Sequence, residues 1–153
     1  MSITILSQRD QRWAEKKLGP SQLTVGRYGC TTTSICMGLS AFGFAVTPDA
    51  IAKDRKAYTK DGLILWQNLK LPGGFRMRAR IQGRNDDAIK ASLRDPDEFV
   101  ILQVADGSHW VLATGKTLLG NDYKVADPWS GDRSTACGRY RNVTGSAHFT
   151  RKK

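Results

Sequence analysis

Apolar residues in the first half of the chain recur at helical spacing. Ile35, Leu39 and Phe42 follow the i, i+4, i+7 pattern of a helix with one buried face. Gly43 comes directly after this stripe, and glycine is the residue that most often ends a helix. The pattern therefore predicts a helix over residues 31–42.

Further helices are expected from their start signals. Residues 47–49 read TPD, a capping threonine, a proline at the first turn and an acid near the positive end of the helix dipole. This helix is expected to continue to about Tyr58. Paired acids after Asn85 favour another helix over residues 85–93. A shorter helical stretch is predicted at 63–69.

Strand signals dominate the second half. Residues 75–81 alternate between apolar side chains and arginine, which is typical of a strand with one buried face and one basic face. Two apolar runs, at 99–104 and 109–114, are separated by a turn and followed by a third strand at 123–127. They predict an antiparallel meander, and a last strand is expected around residues 147–149.

The order of these elements, helices first and then a meander, predicts an α+β fold in which a helix packs on an antiparallel sheet. A length of 153 residues without repeats or an interdomain linker favours one domain, residues 1–153. We expect the helix stripe to meet the inward-facing residues of the sheet. The predicted contact set is Ile35, Leu39 and Phe42 against Ile101, Val111 and Val125.

The chain is strongly basic, with 24 Lys and Arg residues against 14 Asp and Glu and a formal net charge of +10. Arginines cluster at residues 76–84, and basic residues end the chain at 151–153. Such charge favours attraction to polyanions such as nucleic acid, an anionic membrane or an acidic cell-wall polymer, unless the charges are simply solvated. No helix-turn-helix, zinc-finger or RNP signature accompanies it, so nucleic acid is not the favoured partner.

Composition argues against several other classes of protein. Cys30, Cys36 and Cys137 are an odd number of cysteines without a Cys-x-x-Cys pair, which argues against a disulfide framework and does not support a zinc site. Neither a metal nor another cofactor is predicted. No apolar run approaches the roughly 20 residues of a membrane span. The first seven residues lack the basic and apolar regions of a signal peptide, so we expect a cytoplasmic protein or one released without a cleaved signal.

One cysteine stands at a position that favours reactivity. Cys30 follows Gly29 at the apparent start of the first helix, where the positive end of the helix dipole favours the nucleophilic thiolate. His109 opens one predicted strand and Asp127 ends the next, and in an antiparallel pair these two ends lie side by side. A carboxylate there would orient the imidazole toward the thiol, which predicts a Cys-His-Asp arrangement for acyl transfer.

These residues resemble those of the papain-like cysteine peptidase superfamily and, within it, the C39-like peptidases. The resemblance covers roughly residues 5–130 and rests on four segments: SQRDQRW (7–13), GCTTTS (29–34), GSHWV (107–111) and VADP (125–128). It implies a papain-like fold in which Cys30 is the nucleophile, His109 the general base and Asp127 the orienting acid. It also implies that Gln8 contributes to the oxyanion hole, with Gln11 as a less favoured substitute.

The function predicted on this basis is a cysteine peptidase or amidase that cleaves a peptide bond through a thioester acyl-enzyme. A small basic hydrolase suits an anionic wall, so the expected substrate is a peptide, in peptidoglycan or in a protein, and a phage or bacterial cell-wall hydrolase would fit. Two alternatives stay open. One is a non-catalytic peptide-binding module on the same fold. The other is an acyl transferase of the transglutaminase kind, which shares the triad and differs in the acyl acceptor.

Overall fold

The computed structural model describes residues 2–153, and its centre is one antiparallel sheet. The strands are β1 Arg76–Gln82, β2 Glu98–Val104, β3 His109–Lys116, β4 Tyr123–Asp127, β5 Asp132–Thr135 and β6 Gly145–Thr150. They lie in the order β1-β6-β2-β3-β4-β5, and each neighbouring pair is antiparallel. The last strand of the chain is therefore inserted between β1 and β2.

Helices cover both faces of this sheet. The α-helices of residues 2–153 are α1 Val25–Tyr28, α2 Cys30–Ser40, α3 Pro48–Ala52, α4 Asp86–Arg94 and α5 Ala136–Tyr140. α2 packs on one face against β2 and β3, and α4 packs on the opposite face of the same strands. α5 lies against β4 and β5. Among residues 2–153, no helix combines the length and apolar character needed to cross a membrane.

The predicted fold class is confirmed. The fold is α+β, and the N-terminal helices, including the helix that begins at Cys30, pack on a C-terminal antiparallel sheet. α2, α4 and the meander of β2, β3 and β4 begin and end within two residues of their predicted bounds. The last strand, expected around residues 147–149, extends over the whole of β6.

Both faces of the sheet are buried, so the core has two layers. In the layer beneath α2, Ile35 and Leu39 lie in one cluster with Ile101 and Leu112. In the layer beneath α4, Ile89 belongs to a second cluster built from the alternate residues of the same strands. The sheet therefore separates two apolar layers, one on each of its faces.

The prediction that Val111 and Val125 pack against the apolar stripe of α2 is wrong. Both lie in the α4 layer, whereas Leu112 and Ala126, one position later on each strand, lie in the α2 layer. Successive side chains of a strand point to opposite faces. Because both sets are apolar here, the pattern alone does not reveal which face a given residue takes. Phe42 does pack against the α2 layer, as predicted, and is partly buried.

α3 is shorter than predicted. The carboxylate of Asp54 accepts a hydrogen bond from the main-chain N–H of Lys56 at 3.0 Å, a local turn that competes with further helix. Tyr58 then pairs with Ile64 in an isolated β-bridge. The helical stretch predicted to follow is therefore also wrong over most of its length, and only Trp66–Asn68 forms a turn of 3-10 helix.

Three short elements were not predicted at all. α1 and β5 have four residues each and α5 has five. Such lengths are too short for a periodic pattern to distinguish helix from strand. Their formation depends on contacts with the sheet, and α5 in particular matters for the site described below.

A polar cluster is buried on the α4 side of the sheet. His148 in β6 is fully buried, with Nδ1 2.7 Å from the Ser92 hydroxyl and Nε2 2.8 Å from the Ser146 hydroxyl. Burial, together with the nearby Arg78 cation, lowers the pKa of His148 to about 4. The ring is therefore neutral at pH 7, and its two nitrogens are satisfied by hydroxyl groups.

Acidification should destabilise the protein through His148. Because its pKa is near 6.5 in an unfolded chain and about 4 in the folded one, the unfolded state binds the proton first, and stability falls as the pH drops from 6.5 toward 4. We expect a loss of up to about 3 kcal/mol. Urea unfolding at pH 7 and pH 4.5 measures it. His148→Gln should lose most of this pH dependence, and an unchanged dependence would contradict the assignment.

Leu39→Ala should destabilise the fold by about 2–5 kcal/mol, because Leu39 is fully buried beneath the sheet and its removal leaves a cavity. The matched control is Leu118→Ala. Leu118 is 99% exposed, and its truncation should change the free energy of unfolding by less than about 0.5 kcal/mol. Denaturant titration compares the two variants. Equal, small losses would mean that the packing of α2 on the sheet is not as described.

Candidate active site

Cys30 is the first residue of α2 and is partly exposed. The preceding Gly29 joins α1 to α2, and its main-chain N–H donates to the carbonyl oxygen of Val25 at 2.8 Å. A Cβ on Gly29 would lie 2.5 Å from that oxygen, so a larger residue would force the two helices apart. Within residues 2–153, the main-chain N–H of Cys30 has no acceptor, as expected at the first position of a helix.

His109 and Asp127 are in direct contact at the ends of two adjacent strands. Nε2 of His109 lies 2.8 Å from Oδ1 of Asp127. Since an ionised carboxylate only accepts hydrogen bonds, Nε2 carries the proton and donates it to Asp127. This leaves Nδ1 as the imidazole nitrogen available to another partner. The Tyr140 ring packs against the imidazole at a centroid distance of 5.2 Å.

Asp127 is fully buried and accepts hydrogen bonds from several elements. Besides His109, the donors are Nη1 of Arg139 at 3.0 Å, the main-chain N–H of Trp129 at 3.0 Å and the hydroxyl of Tyr140. Burial raises the pKa of the Asp127 carboxyl, but these hydrogen bonds outweigh it and hold the pKa well below its usual range. The carboxylate therefore stays ionised and keeps the imidazole in one orientation.

The environment of His109 favours the imidazolium. Burial lowers its pKa, but the hydrogen bond to Asp127 and the interaction with the neighbouring Cys30 thiol together raise it to about 9. The stabilisation from this histidine is therefore complete below pH 6.5 and is lost as the pH rises through about 9. A cysteine at a helix start beside a protonatable imidazole is the arrangement that a nucleophilic thiolate requires.

Gln8 is almost completely buried and bridges two parts of the site. Its main-chain N–H donates to the carbonyl oxygen of Pro128 at 2.7 Å, directly after Asp127. Its side-chain Nε2 donates to the carbonyl oxygen of Gly26 in α1 at 3.2 Å. One amide hydrogen remains free, and the side-chain oxygen Oε1 is buried without a partner. Gln11, in contrast, lies exposed in the following turn.

Sequence reasoning missed the residues that surround Asp127. Arg139 and Tyr140 belong to α5, which had no recognisable pattern, and Arg139 also pairs with Asp132 at 2.8 Å. Trp129 follows Asp127 by two residues, and the guanidinium of Arg9 stacks on its ring at 4.3 Å. No local signal marks any of these contacts, because each joins residues from separate elements or depends on a loop conformation.

The other cysteines differ from Cys30 in their surroundings. Cys36 is fully buried in the core, and Cys137 is partly exposed with its sulfur 3.4 Å from Nη1 of Arg84. Burial raises the pKa of both thiols. Among residues 2–153, no three His, Cys, Asp or Glu side chains come together as a metal-binding group would.

No protein-family model matches this sequence, and no curated protein matches it either. A search of solved structures finds the crystal structure of the N-terminal peptidase C39-like domain of the toxin secretion ATP-binding protein from Vibrio parahaemolyticus. The TM-score is 0.45 and the sequence identity is 14%, and the match covers 74% of this chain and 89% of that one.

Iodoacetamide should modify Cys30 before the other two thiols, because Cys36 is inaccessible and the pKa of Cys137 is raised by burial and by Asp122. Peptide mass spectrometry after brief labelling at pH 7 measures the order of modification. In the matched control, Cys30→Ser, rapid labelling should disappear. Earlier modification of Cys36 or Cys137 would show that Cys30 is not the reactive thiol.

Proposed function

We propose that this chain is a C39-like cysteine peptidase or amidase in which Cys30 is the nucleophile, His109 the general acid and base, and Asp127 the residue that orients the imidazole. The observation that carries the proposal is the buried Asp127–His109 pair. It fixes the proton on Nε2 and leaves Nδ1 for the thiol at the start of α2. An ion pair that served only the stability of the fold would not need Nδ1 of the imidazole to lie next to a partly exposed cysteine.

In the proposed reaction, the Cys30 thiolate attacks the carbonyl carbon of a peptide bond. The carbonyl π electrons move onto oxygen, and the C–N bond then breaks as His109 Nδ1 gives its proton to the departing amine. A thioester to Cys30 remains. Water attacks this thioester while Nδ1 takes up a proton, and the acid product leaves with regeneration of the thiolate–imidazolium pair. Asp127 stays ionised throughout and holds the ring in place.

The oxyanion formed during attack needs hydrogen-bond donors, and we assign this role to two N–H groups. One is the main-chain N–H of Cys30, which has no acceptor among residues 2–153. The other is the side-chain amide of Gln8, which uses one hydrogen on Gly26 and keeps the second. Gln8 rather than Gln11 suits this role because it is buried and linked through Pro128 to the loop after Asp127. A donor held this way costs little reorganisation when charge develops.

The proposed substrate is a peptide, either in a protein or in peptidoglycan. The net charge of +10 favours approach to an anionic polymer. Hydrolysis and acyl transfer share every step up to the thioester, so the acyl acceptor separates the two. Products formed with and without an added primary amine distinguish a peptidase from a transglutaminase-type enzyme.

Two site variants should separate catalysis from reactivity of the thiol. Gln8→Ala should lower kcat by on the order of 100- to 1,000-fold, because a lost oxyanion donor weakens only the transition state. Its Cys30 alkylation rate should stay close to that of the wild type. Asp127→Asn should lower both turnover and alkylation, because the imidazole loses its anionic partner. Turnover is measured on a peptide library and on purified peptidoglycan, with circular dichroism as the folding check.

The controls for this experiment are Gln11→Ala and Cys30→Ala. Gln11→Ala should turn over substrate at the wild-type rate, and Cys30→Ala should be inactive. If Gln11→Ala is slow and Gln8→Ala is not, the oxyanion role belongs to Gln11. If Cys30→Ala retains full activity, the proposed nucleophile is wrong. If the wild type binds peptides but turns over none of them, the chain is a binding module.

A further inference from the structure

A cleft of about 420 Å³ lies on the α2 side of the sheet, and two of the residues that line it are chain neighbours of candidate site residues. It is lined in part by Tyr28, Thr31, Tyr58, Trp66, Arg80 and Trp110. Thr31 follows Cys30 in the chain and Trp110 follows His109, so part of the cleft wall is one residue removed from the proposed nucleophile and base. Four aromatic side chains stand among aliphatic and polar ones in its walls, and its two charged residues are Arg80 and Asp61. A substrate bound at Cys30 would extend into this cleft.

The guanidinium of Arg80 is held in a fixed position in this cleft. It stacks on the Trp110 ring with its central carbon 4.8 Å from the ring centroid. Nη1 donates to the carbonyl oxygen of Ile81 at 2.7 Å, and Nη2 donates to the side-chain oxygen of Gln103 at 3.3 Å. A Cβ on Gly145 would lie 2.7 Å from Nη1, so glycine at that position makes room for the guanidinium.

Arg80 has no carboxylate partner among residues 2–153, although neighbouring arginines do. Arg78 on the same strand pairs with Glu98 at 2.9 Å, and Arg84 pairs with Asp86 at 2.8 Å. Arg80 is partly buried, and this burial lowers its pKa, so the cation is desolvated without the compensation of an acid. Two of its five N–H groups are used, which leaves the others free to bind an anion.

We propose that Arg80 is a specificity-determining residue that binds a carboxylate of the peptide substrate within a few residues of the scissile bond. A guanidinium matches a carboxylate with two parallel hydrogen bonds, and stacking on Trp110 presents that edge in a defined orientation. The aromatic walls would contact the apolar part of the same residue. This proposal rests on the proposed function and adds to it a substrate class, peptides that carry an acidic group beside the cleavage site.

Binding to an inactive protein tests this assignment without relying on turnover. The protein is the Cys30→Ala variant, and the probes are N-acetylated, C-amidated alanine hexapeptides with one glutamate at each position in turn. A matched set carries glutamine instead. Quenching of tryptophan fluorescence, to which Trp66 and Trp110 in the cleft contribute, reports binding. We expect at least a tenfold preference for glutamate at one position, and Arg80→Gln added to Cys30→Ala should reduce it to about one.

Two further variants complete the design. Arg76→Gln removes the same charge from an exposed position of the same strand, so it should keep the glutamate preference. Arg80→Lys keeps the charge but loses the planar fork, so it should retain only part of the preference even if Arg80→Gln folds poorly. Equal binding of the glutamate and glutamine sets, no binding of either, or a preference that survives Arg80→Gln would overturn the proposal.

The source of the carboxylate is distinguished by a second pair of probes, a peptidoglycan stem peptide with its free carboxylate and the same peptide amidated. A preference for the free acid that depends on Arg80 supports a wall substrate, and a preference confined to the hexapeptides supports a protein substrate. The failure of the proposed function can be distinguished from the failure of the Arg80 proposal. If the wild type cleaves none of the probes while Cys30→Ala still prefers the acid, the cleft assignment stands and the peptidase does not.

Discussion

The buried carboxylate of Asp127 is the interaction on which this end of the fold depends. A charge without exposed surface is tolerated only when it is paired and hydrogen-bonded. Asp127 meets that requirement through His109 on β3, Arg139 and Tyr140 on α5, and the main chain at Trp129. Two strand ends, a short helix and a loop are thus fixed around one group. Loss of a partner from such a buried pair typically costs about 3–5 kcal/mol.

The two histidines show how one residue type takes opposite protonation states in different surroundings. Burial lowers the pKa of both. His109 faces an anion, which overcomes burial and raises its pKa to about 9, whereas His148 is held by two serine hydroxyls and its pKa falls to about 4. The difference comes from the partner that each ring meets. One histidine therefore carries a proton at pH 7, and the other serves as a neutral part of the core.

The arginines of this basic chain differ in whether an acid is paired with them. Arg78 and Arg84 are each paired with an acid at hydrogen-bond distance, and Arg139 supports Asp127. Arg80 is positioned equally well but lines an open cleft whose wall includes Thr31, the residue after Cys30. Desolvating a cation without an acid partner is unfavourable for folding, and this is the physical ground for proposing that Arg80 binds an anionic group.

The α+β class, α2, α4 and the meander could be predicted from the sequence, because periodicity and helix-start chemistry are local properties. Cys30, His109 and Asp127 became candidates through their positions on these elements and through the motifs that surround them. The remaining features depend on packing between distant segments. Val111 and Leu112 are equally apolar, so their faces depend on which helix covers each side. The contacts of Arg139 and Tyr140 with Asp127, the burial of Gln8 and the position of the Arg80 guanidinium all depend on contacts between separate elements. A local sequence pattern does not predict such contacts, since they form only when distant segments pack together.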